Sequence, residues 1–439
     1  MSNRIVLIGA GSANFGLGVI ADFFKSEPLS GSEIVLYDIN SSKLQNTLKI
    51  ALAYKEKNNP NFKVSATTSI KEALTGAKYC LISIEVGSRF DLWDQDWKIP
   101  MQYGFNQIYG ENGGPGGLFH SLRIIPPILE ICSEIERYCP NAFVFNFSNP
   151  MQRICHAVSV KFPDLKFVGL CHEIKSMQRQ LPILMETGYD NIEYEAGGLN
   201  HFSILLNVRY KNNGKDGYPI IREKFEQFYS NLVNDHEGFI SQPGAERGVF
   251  FEIFKHYGYL PITTDSHLGE YIPWAYSVAD HQAILDFYEN YKRKCLGFYN
   301  DTGSYEHFFD PKNHDRKEMV ATIIEHIELD SGYKINAVNL PNKNFINCIP
   351  DGIIVEIPAI VSKSGVHGCP LENYPAEFGS LFNLQTGVIQ LTTQAAIQKS
   401  RKLAYLALLS EPVVDDAKSA ERLLTTMISI QSDHLGYLI

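Results

Sequence analysis

The sequence has no CxxC pair, no long block of like charge, and no apolar run approaching the ~18 residues of a membrane-spanning helix. Its eight cysteines (Cys80, Cys132, Cys139, Cys155, Cys171, Cys295, Cys348 and Cys369) show no zinc-finger spacing. In a chain of 439 residues that scatter suits a reducing compartment, with most thiols acting as small core hydrophobes. The first apolar run, Ile5 to Ile8, is broken by glycines too soon to make a signal-peptide core. The expectation is a cytoplasmic protein with no membrane partner. With 49 acidic residues against 39 basic and a formal net charge of −10, no basic face is legible, which argues against nucleic acid.

What is present is ordinary globular material. At 44% hydrophobic residues the chain can bury a large core, and its length predicts two domains, 1–195 and 196–439. The first half alternates short β-branched runs (Arg4 to Ile8, Glu33 to Ile39, Phe62 to Thr67, Lys78 to Val86, Ala142 to Phe147, Lys166 to Leu170) with helix-like stretches. That alternation predicts an α/β fold with a doubly wound parallel sheet. The clearest helix is Ser41 to Lys57, with Ser41 as its cap. The segment YGENGGPGGL at 109–118 reads as neither helix nor strand. Beyond Gly197 the pattern becomes mixed α and β. Helices are expected at Ile220 to Val233, Asp280 to Leu296, Met319 to Glu328, Thr386 to Leu409 and Ala417 to Ile430.

After the first strand comes Gly9-Ala10-Gly11-Ser12, followed by a predicted helix whose N-terminal amides can face a pyrophosphate. Asn14 stands where the third glycine of the usual fingerprint would be. Asp38, closing the second strand in IVLYDI, supports the nucleotide reading, because a carboxylate there accepts from ribose hydroxyls and repels a 2′-phosphate. NAD is therefore preferred over NADP. The bland alternative is a plain glycine turn, with Asp38 capping the next helix.

At the end of the sixth strand GLCHE places Cys171, His172 and Glu173 on the carboxyl edge of the sheet, where ligands of open α/β folds bind. GLNHF follows at 198–202. Cys171 and His201 together suit a borderline divalent ion such as manganese; singly, each reads as a packed thiol or a hydrogen-bonded histidine.

GAGS near the N-terminus, NFSNP at 146–150, GLCHE at 169–173, GLNHF at 198–202 and NLPNKNFINCIPDGIIVEIP at 339–358 occur in one order along most of the chain. In this combination the sequence resembles glycoside hydrolase family 4. The resemblance implies a Rossmann-like NAD-binding domain followed by a mixed α/β domain, an architecture like that of lactate and malate dehydrogenases. It also implies Mn2+ or another divalent cation on Cys171 and His201, and homodimers or homotetramers. In place of a pair of carboxylates it implies oxidation at C3, elimination across C1–C2, water addition and re-reduction.

The resemblance also distributes roles. Asn149 in SNP would bind substrate hydroxyls or the nicotinamide ribose; an Asn-Pro turn is its alternative. The C2 base is expected in GYLPITTDSHLGEY at 258–271, as Asp265, with Tyr271, His267 and Glu270 as alternatives. His172 would donate the leaving-group proton. Glu111 would touch substrate or donate that proton instead. With no basic cluster for a phosphate, a small unphosphorylated α-glycoside is expected. The CHE triplet resembles that of members acting on α-linked uronic acids and puts an α-glucuronide or α-galacturonide first. An α-galactoside or α-glucoside is the alternative, because the SHLGEYIPW and NLPNKNF blocks resemble α-galactosidase and α-glucosidase members as much. The rivals are a plain NAD-dependent hydroxyacid dehydrogenase, which would form net NADH without metal, and a binding protein that merely retains NAD.

Overall fold

The computed structural model describes residues 3–11, 13–234, 247–298 and 319–439. All six strands expected in the first half form: β1 (Arg4–Ile8), β2 (Glu33–Tyr37), β3 (Lys63–Thr67), β4 (Tyr79–Ile82), β5 (Phe143–Asn146) and β6 (Lys166–Gly169). They run parallel in the order β3-β2-β1-β4-β5-β6, the doubly wound arrangement of dinucleotide-binding folds. Helices cover both faces, so central strands are largely apolar; every residue of β4 and β5 is buried, polar Asn146 included. The sheet direction reverses its neighbour order between β1 and β4. Gly9 (φ 88°) sits at that crevice, where an added Cβ would stand 2.0 Å from the Ser83 carbonyl oxygen. Only glycine fits so close an approach of the two loops.

The sheet does not stop near residue 195. Among the described residues it continues through β7 (Ile192–Leu199), β8 (Phe202–Tyr210), β9 (Tyr333–Pro341), β10 (Ile354–Ser362) and β11 (Gly365–Gly368). The order onward from β6 is β9-β10-β7-β8, all antiparallel, with β11 on β10. Gly169 of β6 pairs with Asn339 of β9 and stitches the two halves together.

The last helices return to the first half. Ala395, Leu408, Leu423 and Leu435 share one hydrophobic core with Val6, Cys80, Leu122 and Val144. The last helices thus pack into the core of the first half, across the expected boundary at 195.

Several local expectations change. Asn40, not Ser41, caps the Ser41–Asn58 helix by accepting from the Lys43 amide. The helix expected from Thr386 to Leu409 is two helices, Ala376–Gln398 and Arg401–Ser410, parted by Lys399 at φ 56°. The glycine-rich segment is only half a loop, since Gly114–Tyr138 is a helix with Pro115 in its first turn. A proline there loses no hydrogen bond, because the first amides of a helix have no partner within it. Glycine is required at 117 by packing: a Cβ would meet the Asn112 carbonyl carbon at 2.4 Å.

A buried polar knot ties these parts. Arg123 donates to Asp96 (Nη2 to Oδ2, 2.6 Å) and to Gln431 (Nη1 to Oε1, 2.8 Å), and Gln431 Nε2 donates to Asp96 at 3.0 Å. Asp96→Ala leaves the Arg123 guanidinium buried and uncompensated, at a cost of about 3–5 kcal/mol. Urea unfolding should show that loss for Asp96→Ala and a smaller one for Gln431→Ala; a loss below 1 kcal/mol for Asp96→Ala would contradict the knot's role.

Candidate active site

The parallel strands deliver the sequence-predicted residues to one edge. Gly9 and Gly11 follow β1, Asp38 follows β2, Asn149 follows β5 and Cys171 follows β6. The Gly11 amide donates to Asp38 Oδ2 at 2.8 Å, and the Asn40 amide donates to Oδ1 at 2.8 Å. Asp38 therefore closes the glycine loop against the second strand and leaves helix capping to Asn40. Beside it Ile39 is 88% exposed, an apolar surface at the mouth of the crevice. These features fit a dinucleotide: a glycine loop opening onto a helix, a carboxylate at the ribose position and an apolar face for a base. Ser12 lies outside the described residues. Asn149 is half-buried at the β5 end.

The second cluster joins the two halves of the sheet. β7 and β8 form a hairpin whose two-residue turn is Asn200-His201, and His201 has φ 68°, an uncommon conformation for a residue with a side chain. The turn places the His201 ring beside Cys171 and Glu173. One ligand atom from each of the three lies within 4.8 Å of the others. Burial, together with Glu173 and Glu356, pushes the Cys171 thiol well above its usual value, while the Glu173 amide and the Asn200 side chain oppose the rise. Burial, with His267 and His172 nearby, holds His201 well below its usual value. The imidazole is therefore neutral, and its Nδ1 is buried without a hydrogen-bond partner. A neutral imidazole, a thiol and a carboxylate make a fitting donor set for a borderline divalent cation. Glu173 had been placed at this edge by the sequence but given no role; its position beside Cys171 was the available signal.

Asp265, the expected base, is held by backbone amides. Asp265 is fully buried, and its carboxylate accepts from the Phe250 amide at 3.0 Å and the Asp280 amide at 3.4 Å. Phe250 lies in the first turn of the Gly248–Tyr257 helix, so Asp265 satisfies a helix terminus. Tyr271 is also buried: its ring packs on Phe202 at 6.4 Å, and burial, followed by Glu270, raises its phenol well above the usual value. A phenol that keeps its proton is a poor base.

His267 reaches the cluster. Its ring lies edge-on to His201 with centroids 4.6 Å apart, and its Nε2 is 3.8 Å from both Glu111 Oε2 and Glu173 Oε1. His172 lies on the solvent side, where desolvation within the cleft, then Lys175 and His267, lower its imidazole from the usual value.

Glu111 is buried and held from two sides. Arg89 Nη2 donates to its Oε1 at 2.9 Å, and its backbone amide donates to Glu270 Oε1 at 2.6 Å. Arg89 also faces Glu85 at 3.6 Å, and Glu85 faces His120 Nε2 at 3.4 Å. Burial would raise Glu85, but His120 and then Arg89 overcome it and bring the carboxyl down to about 2. Arg89, Glu85, His120 and Glu270's clamp on the loop carried no pattern at sequence level.

The comparisons with known proteins accord with this geometry. Residues 4–186 match the model for family 4 glycosyl hydrolases, and residues 196–414 match that of their C-terminal domain. The chain belongs to family 4 of the glycosyl hydrolases. An alpha-glucosidase of Erwinia rhapontici is 47% identical, with 100% of both chains covered. An alpha-galacturonidase of Thermoanaerobacterium saccharolyticum is 29% identical, covering 98% of this chain and 96% of its own. Among solved structures, a 6-phospho-alpha-glucosidase from gut microorganisms, in complex with NAD and Mn2+, shares the fold at TM-score 0.81 and 20% identity, covering 98% of each chain. A malate dehydrogenase from Plasmodium falciparum shares the fold more distantly, at TM-score 0.52 and 13% identity, covering 90% of this chain and 98% of its own. The dehydrogenase-like architecture expected from the resemblance is thus present.

Glu270 offers a test of the loop clamp. Burial, then Glu111, raises its carboxyl to about 8 from an ordinary 4.5. The folded protein therefore binds a proton there that the unfolded chain has released, and stability falls as the pH rises through that window. For one such group the slope reaches at most about 1.4 kcal/mol per pH unit. Glu270→Gln should flatten the fall in melting temperature of the metal-free protein between about pH 5 and pH 8; an unchanged slope would contradict a buried, ionising Glu270.

Proposed function

We propose that the chain is an NAD- and divalent-cation-dependent α-glycosidase whose substrate is a neutral, unphosphorylated α-glucoside. The observation that carries the reading is the convergence of Cys171, Glu173 and His201 on the same carboxyl edge as the glycine loop and Asp38. The alpha-glucosidase of Erwinia rhapontici, 47% identical along the whole chain, supports the sugar. The CHE triplet on which the uronide preference rested is accounted for by Glu173 standing with the metal donors.

Bound at these places, NAD would supply a reversible hydride acceptor for the sugar C3, and a divalent cation would supply Lewis-acid polarisation of the C2 and C3 oxygens. Cys171, Glu173 and His201 would hold the cation; Gly9, Gly11, Asp38 and Asn149 would hold the cofactor. His267 stands against His201 and between two carboxylates, and this position supports its imidazole as the group that would take the C2 proton, with Asp265 as the alternative. Glu111, fixed by Arg89 and by its own amide on Glu270, would accept from sugar hydroxyls and hold the ring in register. His172, at the solvent side, would meet the leaving oxygen.

A panel of nitrophenyl α-glycosides, with NAD, Mn2+ and reductant omitted in turn, tests the reading. Turnover of the α-glucoside above the galacturonide and glucuronide, lost without NAD or metal, and accompanied by solvent deuterium at C2 of the product, is the expected result. Hydrolysis indifferent to both cofactors, or net NADH accumulation, would sink it. His267→Asn should lower kcat by roughly 10²–10⁴-fold with NAD affinity retained. A kcat within twofold of wild type would remove His267 from proton transfer.

A further inference from the structure

The block NLPNKNFINCIPDGIIVEIP is accounted for by nothing above, yet its two ends meet beneath the metal donors. Glu356 of β10 is only 2% exposed and lies in register with Asn339 of β9 on one side and Gly198 of β7 on the other. Asn339 in turn pairs with Gly169, two residues before Cys171. Glu356 Oε2 accepts from Asn200 Nδ2 at 2.9 Å and from Asn339 Nδ2 at 3.3 Å, and Oε1 accepts from Ser203 Oγ at 3.1 Å. Asn200 immediately precedes His201.

We propose that Glu356 is the positioning residue of the metal centre, acting through Asn200, Ser203 and Asn339 to hold Cys171 and His201 at bonding distance from one cation. The two donors come from different parts of the sheet, one just after β6 and one on the β7–β8 turn. The Glu356 carboxylate braces the turn on either side of His201, through Asn200 and Ser203, and meets β6 through Asn339, which pairs with Gly169. Partners of Glu356 among the described residues are two amides and a hydroxyl, with no cationic side chain in a salt bridge to it. A buried carboxylate held only by neutral donors is costly unless positive charge stands close by. A divalent cation at Cys171 and His201 provides that charge. Partners of this kind, one shell out from a metal, typically change its affinity by roughly 10–100-fold.

The inference rests on the reading that Cys171 and His201 hold a divalent cation. The full-length, NAD-loaded protein is titrated with Mn2+ while free Mn2+ is followed by its paramagnetic resonance signal, and Co2+ is added separately to read the thiolate-to-cobalt absorption band. Glu356→Gln should weaken Mn2+ binding by roughly ten- to a hundredfold and shift or weaken the cobalt band. Affinity within twofold of wild type, whatever the melting temperature does, would overturn the proposal. Should Glu356→Gln fail to fold, Asn339→Ala removes one donor and keeps the charge; it should weaken Mn2+ toward the lower end of that range, and wild-type affinity there overturns the proposal equally. Wild-type protein that takes up neither ion would sink the metal reading and the proposal with it. Wild type that binds while both variants bind equally well would sink the proposal alone.

Discussion

A thiol, two carboxyl groups and an imidazole are crowded at the junction where the parallel half of the sheet meets the antiparallel half. Cys171, Glu173 and His201 stand within reach of one another, with Glu356 beneath them. In a desolvated place their anionic forms oppose one another: Glu173 and Glu356 both raise the Cys171 thiol. A divalent cation relieves that conflict, since it takes a thiolate, a neutral imidazole and a carboxylate as ligands and offsets the charge. The rest of the structure can be understood as the means of holding this conflict in place.

The sheet provides the means. Six parallel strands bring the nucleotide loop, Asp38, Asn149 and Cys171 to one edge, as the doubly wound order dictates. The antiparallel extension then carries His201 to the same edge on a two-residue turn, locked to β6 through the Gly169–Asn339 pair. Around this centre arginines face carboxylates. Arg89 answers Glu111 and Glu85, Arg123 answers Asp96, and Arg153 answers Glu411. Such pairing favours one arrangement of loops more than it adds stability.

The parts legible in the sequence were those with a local physical signature. The buried parallel strands stood out because burial on both faces makes them largely apolar, as in Tyr79–Ile82 and Phe143–Asn146. Ala417–Ile430 was legible from its periodicity, and Cys171 and His201 from motifs quoted whole. The parts that were not legible depend on partners remote in sequence. Nothing near Asp265 says that its carboxylate will satisfy the amide of Phe250, 15 positions earlier. Nothing near Glu356 announces Asn200, 156 positions away. The run of glycines at 113–117 read as a loop because glycine breaks helices on average, whereas here close packing against Asn112 and Asp96 demanded it inside one. The terminal helices gave no hint that they would return to the first half, because an apolar helix face does not name the surface it covers.

The central claim is that one cation is shared by residues from both halves of the sheet. Anomalous diffraction at the manganese edge, from crystals grown with NAD and Mn2+, tests it most directly. The account predicts a single strong peak bonded to Cys171, His201 and Glu173, facing the glycine-loop crevice; a peak bonded elsewhere, or none between Cys171 and His201, would contradict it.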